Sequence, residues 1–259
     1  ESGDSLDAKL LGDRLQPTAM DALRLAAAVA VVQIAARDPS TLAAQSLAWA
    51  RGAATDRNWL LRQSAAAALG ETQSSESLPL LAKLLTDERP EVRKQAISAL
   101  GNRAEPSALT LLATALGDAD ISVRRAALQA IARQTLLQLR NGTLNKSQLQ
   151  ELLAKTLSSG SAEEQLLAAG VLLRAGDAGQ LERIQAALAS SDASLRLLAV
   201  EQLTTQKELL AKALEDADEA VRFAAARKLA ELKDLRAVAV LDAALKRGGH
   251  EGLLAFALL

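Results

Sequence analysis

Cysteine and tyrosine are absent from this chain of 259 residues, and aromatic residues make up only 2% of it. Without cysteine there can be no disulfide, thiolate metal ligand or thiol nucleophile. The single histidine, His250, leaves no second imidazole to activate a serine. Formal net charge is −1, so the basic excess expected of a chain that grips many phosphates is missing. Neither a G-x-x-x-x-G-K loop nor a G-x-G-x-x-G turn occurs. The longest apolar run, Leu25 to Val32, is too short to span a bilayer and fits a buried helix. Runs of β-branched residues are few, so strands are not expected. No cofactor is implied. A soluble, cytoplasmic chain is favoured, although the compartment is not fixed by composition.

What is present is alanine and leucine, the strongest helix formers, in a repeating pattern. Arg62, Arg93 and Arg124 stand 31 residues apart; Gln165 follows after 41, Arg196 after 31 and Arg222 after 26. Taking each as position zero, +3 is alanine at Ala65, Ala96, Ala127, Ala168, Ala199 and Ala225. Position +7 is Leu69, Leu100, Ile131, Leu172, Leu203 and Leu229. Position −1 is Leu61, Val92, Val123, Leu195 and Val221, with Glu164 as the exception. At 100° per residue these positions form one stripe, so each motif lies on an amphipathic helix.

A second apolar helix precedes each motif, marked by Leu80, Leu81 and Leu84, then Leu109 and Leu112, then Leu152 and Leu153. Ile184, Leu210 and Leu241 mark the later ones. Aspartates stand six residues before the arginine at Asp56, Asp87, Asp118 and Asp216, and four before at Asp120, Asp192 and Asp218. Asp before an apolar-periodic run is a good N-cap, and Pro90 suits a first turn. Gly70 and Gly101 fall where a left-handed C-terminal residue is expected. The pattern predicts an all-α, right-handed α-solenoid of about six to seven helix pairs.

The stretches Asp87 to Gly101, Asp118 to Ala132 and Asp216 to Ala230 resemble HEAT repeats, in particular the bacterial subclass similar to phycobilisome lyases. The resemblance covers roughly 56–245. It implies a ladder of hydrogen bonds between repeats, joining Asp56, Asp87, Asp118 and Asp216 to the next arginines, among Arg62, Arg93, Arg124 and Arg222. Ser159 and Gln165 should interrupt it, and Ser190 should weaken the rung at Arg196. A basic stripe for an anionic ligand is the other reading of these arginines; the regularly spaced aspartates favour the ladder.

Residues 1–5 are expected to be a disordered tail, and 6–52 an irregular first repeat containing Arg24, Ala27 and Val31. Regular repeats follow over 53–133, an insertion over 134–146, and further repeats over 147–259. Within the insertion, Thr135 to Arg140 reads as a helix extension and Asn141-Gly142 as a turn. The apolar end from Gly252 to Leu259 lacks the polar face of a terminal repeat, which implies a fragment continuing downstream.

Catalytic groups are hard to assemble. His250-Glu251 is one His-Glu pair, whereas the iron-binding HEAT hydroxylases that this architecture resembles carry several, so a metal site is not expected. Glu163-Glu164 and Asp216-Asp218 lie at helix starts and read as caps. Trp49 and Trp59 fit packing better than base stacking.

The face of the motif helices away from the core remains. Positions +1 and +5 lie farthest from the stripe. Row +1 reads Gln63, Lys94, Arg125, Leu166, Leu197 and Phe223; row +5 reads Ala67, Ser98, Gln129, Gly170, Glu201 and Arg227. An exposed apolar series at Leu166, Leu197 and Phe223 would mark a partner site. The expected function is therefore protein recognition in a concave groove, without catalysis by this segment. Its contacts would be Lys94, Arg125, Leu197, Phe223, Glu201 and Arg227. The alternatives are an accessory domain of a larger enzyme or of a cofactor-handling, lyase-like protein, and nucleic-acid binding through Lys94, Arg125 and nearby Arg93 or Arg124.

Overall fold

The computed structural model describes residues 43–72, 75–103 and 105–248. The expectations for the N-terminal tail, the first motif around Arg24, His250 and the apolar end therefore lie outside the described residues. Within them every regular element is helical. The chain divides into two compact units, 1–144 and 145–259.

In the first unit, α1 (Ala43–Ala53), α2 (Trp59–Glu71), α3 (Leu78–Leu84), α4 (Pro90–Gly101), α5 (Pro106–Thr114) and α6 (Ile121–Arg140) follow in order. The motif helices α2, α4 and α6 stack side by side, while α1, α3 and α5 pack behind them. The second unit repeats the plan with α7 (Lys146–Ser159), α8 (Ala162–Arg174), α9 (Leu181–Leu188), α10 (Ala193–Gln202), α11 (Lys207–Ala213), α12 (Glu219–Glu231) and α13 (Val238–Arg247). Here α8, α10 and α12 form the motif row and α7, α9, α11 and α13 the other layer. None of the described helices is long and apolar enough to cross a membrane.

The alanine row at +3 is completely buried in all six motif helices, and the +7 row is buried throughout. A small residue at +3 lets the layers approach, while the branched residue at +7 supplies apolar area, about 1.5–3 kcal/mol for a fully buried side chain. The exception at −1 is also inside: Glu164 is buried and closes a capping box with Ser161. Its carboxylate accepts from the Ser161 amide at 2.8 Å, satisfying a helix-start donor. The −4 carboxylates of Asp120, Asp192 and Asp218 each accept from an amide two residues on, and so cap their helices.

Gly70 and Gly101 do not end their helices in the left-handed region; both are helical residues of α2 and α4. Their role is close approach. A Cβ on Gly70 would stand 2.9 Å from Ala99 Cβ, and one on Gly101 2.8 Å from Ala130 Cβ. Position +8 of one motif helix thus abuts +6 of the next. The left-handed glycines are elsewhere: Gly142 (φ 67°) follows α6, Gly176 (φ 89°) follows α8 and Gly248 (φ 75°) follows α13. Helix α6 runs through Thr135 to Arg140, and Gly142 lies in the turn after it.

A second polar seam runs along the far ends of the motif helices in the first unit. The Arg103 side chain is completely buried; Nη1 donates to Ser77 Oγ at 2.9 Å and Nε to Glu105 at 2.7 Å. Its carbonyl accepts from the buried Gln134 amide at 2.8 Å. Gln134, the first residue of the insertion, is therefore part of the repeat contact.

Candidate docking surface

The arginines at position zero make a regular set of contacts. Arg62 forks onto Asp87 at 2.6 and 2.9 Å, and Arg93 onto Asp118 at 2.7 and 2.8 Å. The remaining nitrogen, Nη1, turns back to its own loop: Arg62 donates to the Asp56 carbonyl, Arg93 to that of Asp87, Arg124 to that of Asp118 and Arg222 to that of Asp216. Each aspartate therefore meets the next arginine through its backbone, while the carboxylates of Asp87 and Asp118 bind the preceding one. This corrects the direction of pairing expected above. Arg93 and Asp118 side chains are 13% and 11% exposed, so these bidentate pairs are well shielded from solvent screening. Burial works to raise the Asp87 carboxyl pKa, but the Arg62 hydrogen bond, the Arg89 amide and two positive charges bring it below the usual value.

The interruption has a specific form. Gln165 Nε2 donates to the Gly160 carbonyl at 2.8 Å, reproducing the backbone contact of the arginines, while its oxygen accepts from Arg183. Ser190 Oγ accepts from the Asp192 amide, taking over the turn role of the −6 aspartate. It leaves the rung at Arg196 intact, contrary to expectation, because that rung uses Asp216 at 2.9 and 2.8 Å. Arg196 belongs to the ladder for that reason. Arg62, Arg93 and Arg196 are thus consumed between repeats, and Arg124 and Arg222 hold the carbonyls of their own loops.

The expected apolar patch is not exposed. Leu166 (2% exposed) and Phe223 (8%) lie in the core, and Leu197 is half-buried against it. The reason is lateral packing. Position +1 lies at 100° around the helix, beside +8 at 80°, on the flank that meets the following motif helix. The buried arc is broader than a surface helix needs, because the motif helices also pack laterally, α8 against α10 and α10 against α12. Lys94 and Arg125, in the first unit, are half-buried on this flank. Lys94 faces the next cap, where Ser122, Val123 and Lys94 hold the Asp120 carboxyl below its ordinary pKa.

Row +5 fares differently in the second unit. Glu201 accepts from Arg227 Nη2 at 2.6 Å, and Arg227 Nη1 donates to Glu231 at 3.1 Å. Lys228 Nζ donates to the Leu203 carbonyl at 2.9 Å and stands 3.8 Å from Glu201. Arg174, the last residue of α8, turns towards the same end of α10 and meets Gln202 Oε1. Leu197 and Leu198, four and three residues before Glu201 on α10, lie half-buried against the core. Arg174, Gln202 and Lys228 did not emerge from the sequence reading because they occupy +9 and +6, rows not inspected for polar residues. A simple signal was available: polar residues replace the small or branched +6 residues at Gln202 and Lys228.

Two open clefts of about 270 and 260 Å³ also lie in the second unit, one beside Lys146 and Asp177, the other between α9 and α11. Among the described residues no cluster of three or more metal-ligating side chains forms. Trp59 packs under the Arg89 guanidinium, 4.9 Å from the ring centroid, which occupies it structurally.

Residues 47–132 match the family model for HEAT repeats, and 221–247 the model for the PBS lyase HEAT-like repeat. Those two stretches are HEAT-type repeats. Solved HEAT-like structures align with nearly all of the chain. The phycocyanin lyase complex of CpcE and CpcF from Nostoc sp. PCC7120 matches with a TM-score of 0.54 and 20% identity, over 100% of this chain and 97% of that one. E. coli YibA gives 0.52 and 19%, over 98% and 94%. Human deoxyhypusine hydroxylase gives 0.45 and 22%, over 98% and 94%. At these identities the first two likenesses speak for the fold alone. No curated protein matches in sequence.

Proposed function

We propose that this HEAT-repeat scaffold docks another protein, and that the motif-helix face of α8, α10 and α12 is the surface it offers. The observation that carries the reading is the mixed group on that face: Glu201, Arg227 and Glu231 partly exposed and paired, with Leu197 and Leu198 half-buried beside them. Partly desolvated charges next to apolar side chains give a partner both orientation and contact area. The likeness to a chain from a two-protein complex supports a protein as occupant. Lys94 and Arg125, packed along the inter-repeat flank, are secondary, and Phe223 acts as core.

The experiment is affinity capture with the parent chain and a charge swap, Glu201→Arg with Arg227→Glu. The swap preserves the internal pair while inverting the pattern shown to a partner. A protein retained by the parent and lost from the folded swap supports the reading. Equal retention by both removes this face from consideration. The match of 221–247 to the PBS lyase HEAT-like repeat favours one second reading, an accessory role in handling a chromophore. A visible absorbance band co-purifying with the chain would favour it over protein docking.

A further inference from the structure

Arg174 stands apart from the other arginines of the second unit's motif row. Arg196 forks onto Asp216, Arg222 grips two carbonyls and Arg227 holds two glutamates. Arg174 meets no carboxylate among the described residues; both terminal nitrogens point at one neutral oxygen, Gln202 Oε1, each at 3.4 Å. A charge-assisted bond to a carboxylate closes to about 2.7–2.9 Å, so this contact leaves the fork's capacity largely unused. Gln202 is pinned in place: it is 5% exposed, its Nε2 donates to the Leu198 carbonyl at 3.2 Å, and it lies over Gly170, where a Cβ would collide with it. From the other side Lys228 reaches the adjacent residue, Leu203, and Arg227 reaches Glu201. Three cations thus converge on the end of α10 around two glutamates, one positive charge in excess.

We propose that Arg174, flanked by Lys228 and Arg227, seats a carboxylate of the docked protein, so that the partner presents an acidic segment. The inference rests on the docking reading and adds the chemistry of the partner. Burial pushes the pKa of Arg174 down, and burial likewise lowers Lys228, against the pull of Glu201. Arg174, which meets only the Gln202 oxygen among the described residues, is the cation short of compensation, and an incoming anion supplies it. A planar guanidinium accepts a carboxylate through two parallel bonds, which the single oxygen of Gln202 cannot provide.

The test uses fluorescence anisotropy on the full chain. The probes are a labelled peptide of alternating glutamate and serine, its lysine counterpart, and a single-stranded oligonucleotide. The acidic peptide is expected to bind saturably and the lysine peptide not to bind. Arg174→Gln should weaken the acidic peptide about tenfold, the loss of one charge-assisted contact. Lys155→Gln, the same charge change at an exposed position of α7, should leave binding within twofold (roughly the scatter expected of surface charge). Equal weakening by both variants, preference for the oligonucleotide, or no binding of the acidic peptide overturns the proposal. Because Arg174 has no ion pair to lose among the described residues, Arg174→Gln should melt at the parent temperature. If Arg174→Gln still captures the partner undiminished while the Glu201/Arg227 swap loses it, docking stands and the carboxylate seat falls.

Discussion

Replacing Gly101 by alanine sets two opposing effects against each other. Alanine is favoured over glycine in a helix by up to about 1 kcal/mol, less at the last residue of α4. The new Cβ, however, would lie 2.8 Å from Ala130 Cβ and 3.0 Å from Ala130 Cα. Carbon atoms rest at about 3.5–4.0 Å, so α4 and α6 must part by something near 1 Å. Arg133 Nη2, 2.9 Å from the same point, is the end of a flexible side chain and can move aside. Overpacking of this kind costs about 1–3 kcal/mol, which outweighs the propensity gain and gives a net loss of about 1–2 kcal/mol. With Ala130→Gly the nearest obstruction is gone and only the 3.0 Å contact with the Cα of residue 130 remains, so Gly101→Ala should cost clearly less than in the parent. The double-mutant cycle should therefore show a favourable coupling of about 1–3 kcal/mol. Gly117→Ala serves as a reference, because no atom lies within 4 Å of its Cβ position. It should stabilise by about 0.4–1 kcal/mol through the unfolded chain. Urea unfolding followed by far-UV circular dichroism measures all five proteins. If Gly101→Ala stabilises the parent as Gly117→Ala does, the close contact between +8 and +6 is not what holds glycine there.

The interrupted ladder should be repairable: Gln165→Arg together with Ser190→Asp is expected to raise stability by about 1 kcal/mol in urea unfolding, with neither change sufficient alone. Acid should weaken the fold in a defined window. The carboxyls of Asp87, Asp216 and Asp234 are held below their ordinary value, Asp234 at about 2 beside Arg236. Depressed acids contribute stability that is full above the unfolded value near 4 and lost as pH falls through the folded one. Melting temperature should therefore be level from neutral pH to about 5 and decline between about 4 and 2. Asp87→Asn should lower the neutral plateau and flatten that decline.

The parts of the fold that could be read from sequence are those governed by a local rule. The +3 alanines and +7 aliphatics follow helical geometry, and Asp120, Asp192 and Asp218 cap helices because an Asx side chain is suited to that position. Glu164, the exception in the −1 row, reads as a cap by the same local rule, and the Ser161–Glu164 spacing spells the capping box. Lateral packing is not local, and there the reading failed. A helical wheel drawn for one helix leaves +1 open, but a helix packed within a layered row buries it, as Leu166 and Phe223 show. The same oversight turned Gly70 and Gly101 into caps, when the residues that fix their role, Ala99 and Ala130, lie one repeat away. The direction of the ladder is likewise decided by which loop each guanidinium reaches. Arg174 was invisible for a related reason: nothing around it in sequence reveals that its fork meets an amide where Arg196 meets an aspartate.

The most direct measurement is hydroxyl-radical footprinting of the chain with its captured partner. Protection of Leu197 and Leu198 on α10, with Leu188 and Leu209 of the opposite layer as reactive as in the free chain, is the result expected for docking on the motif-helix face. Protection confined to Leu188 and Leu209, with Leu197 and Leu198 unchanged, would contradict it and move the partner to the cleft between α9 and α11.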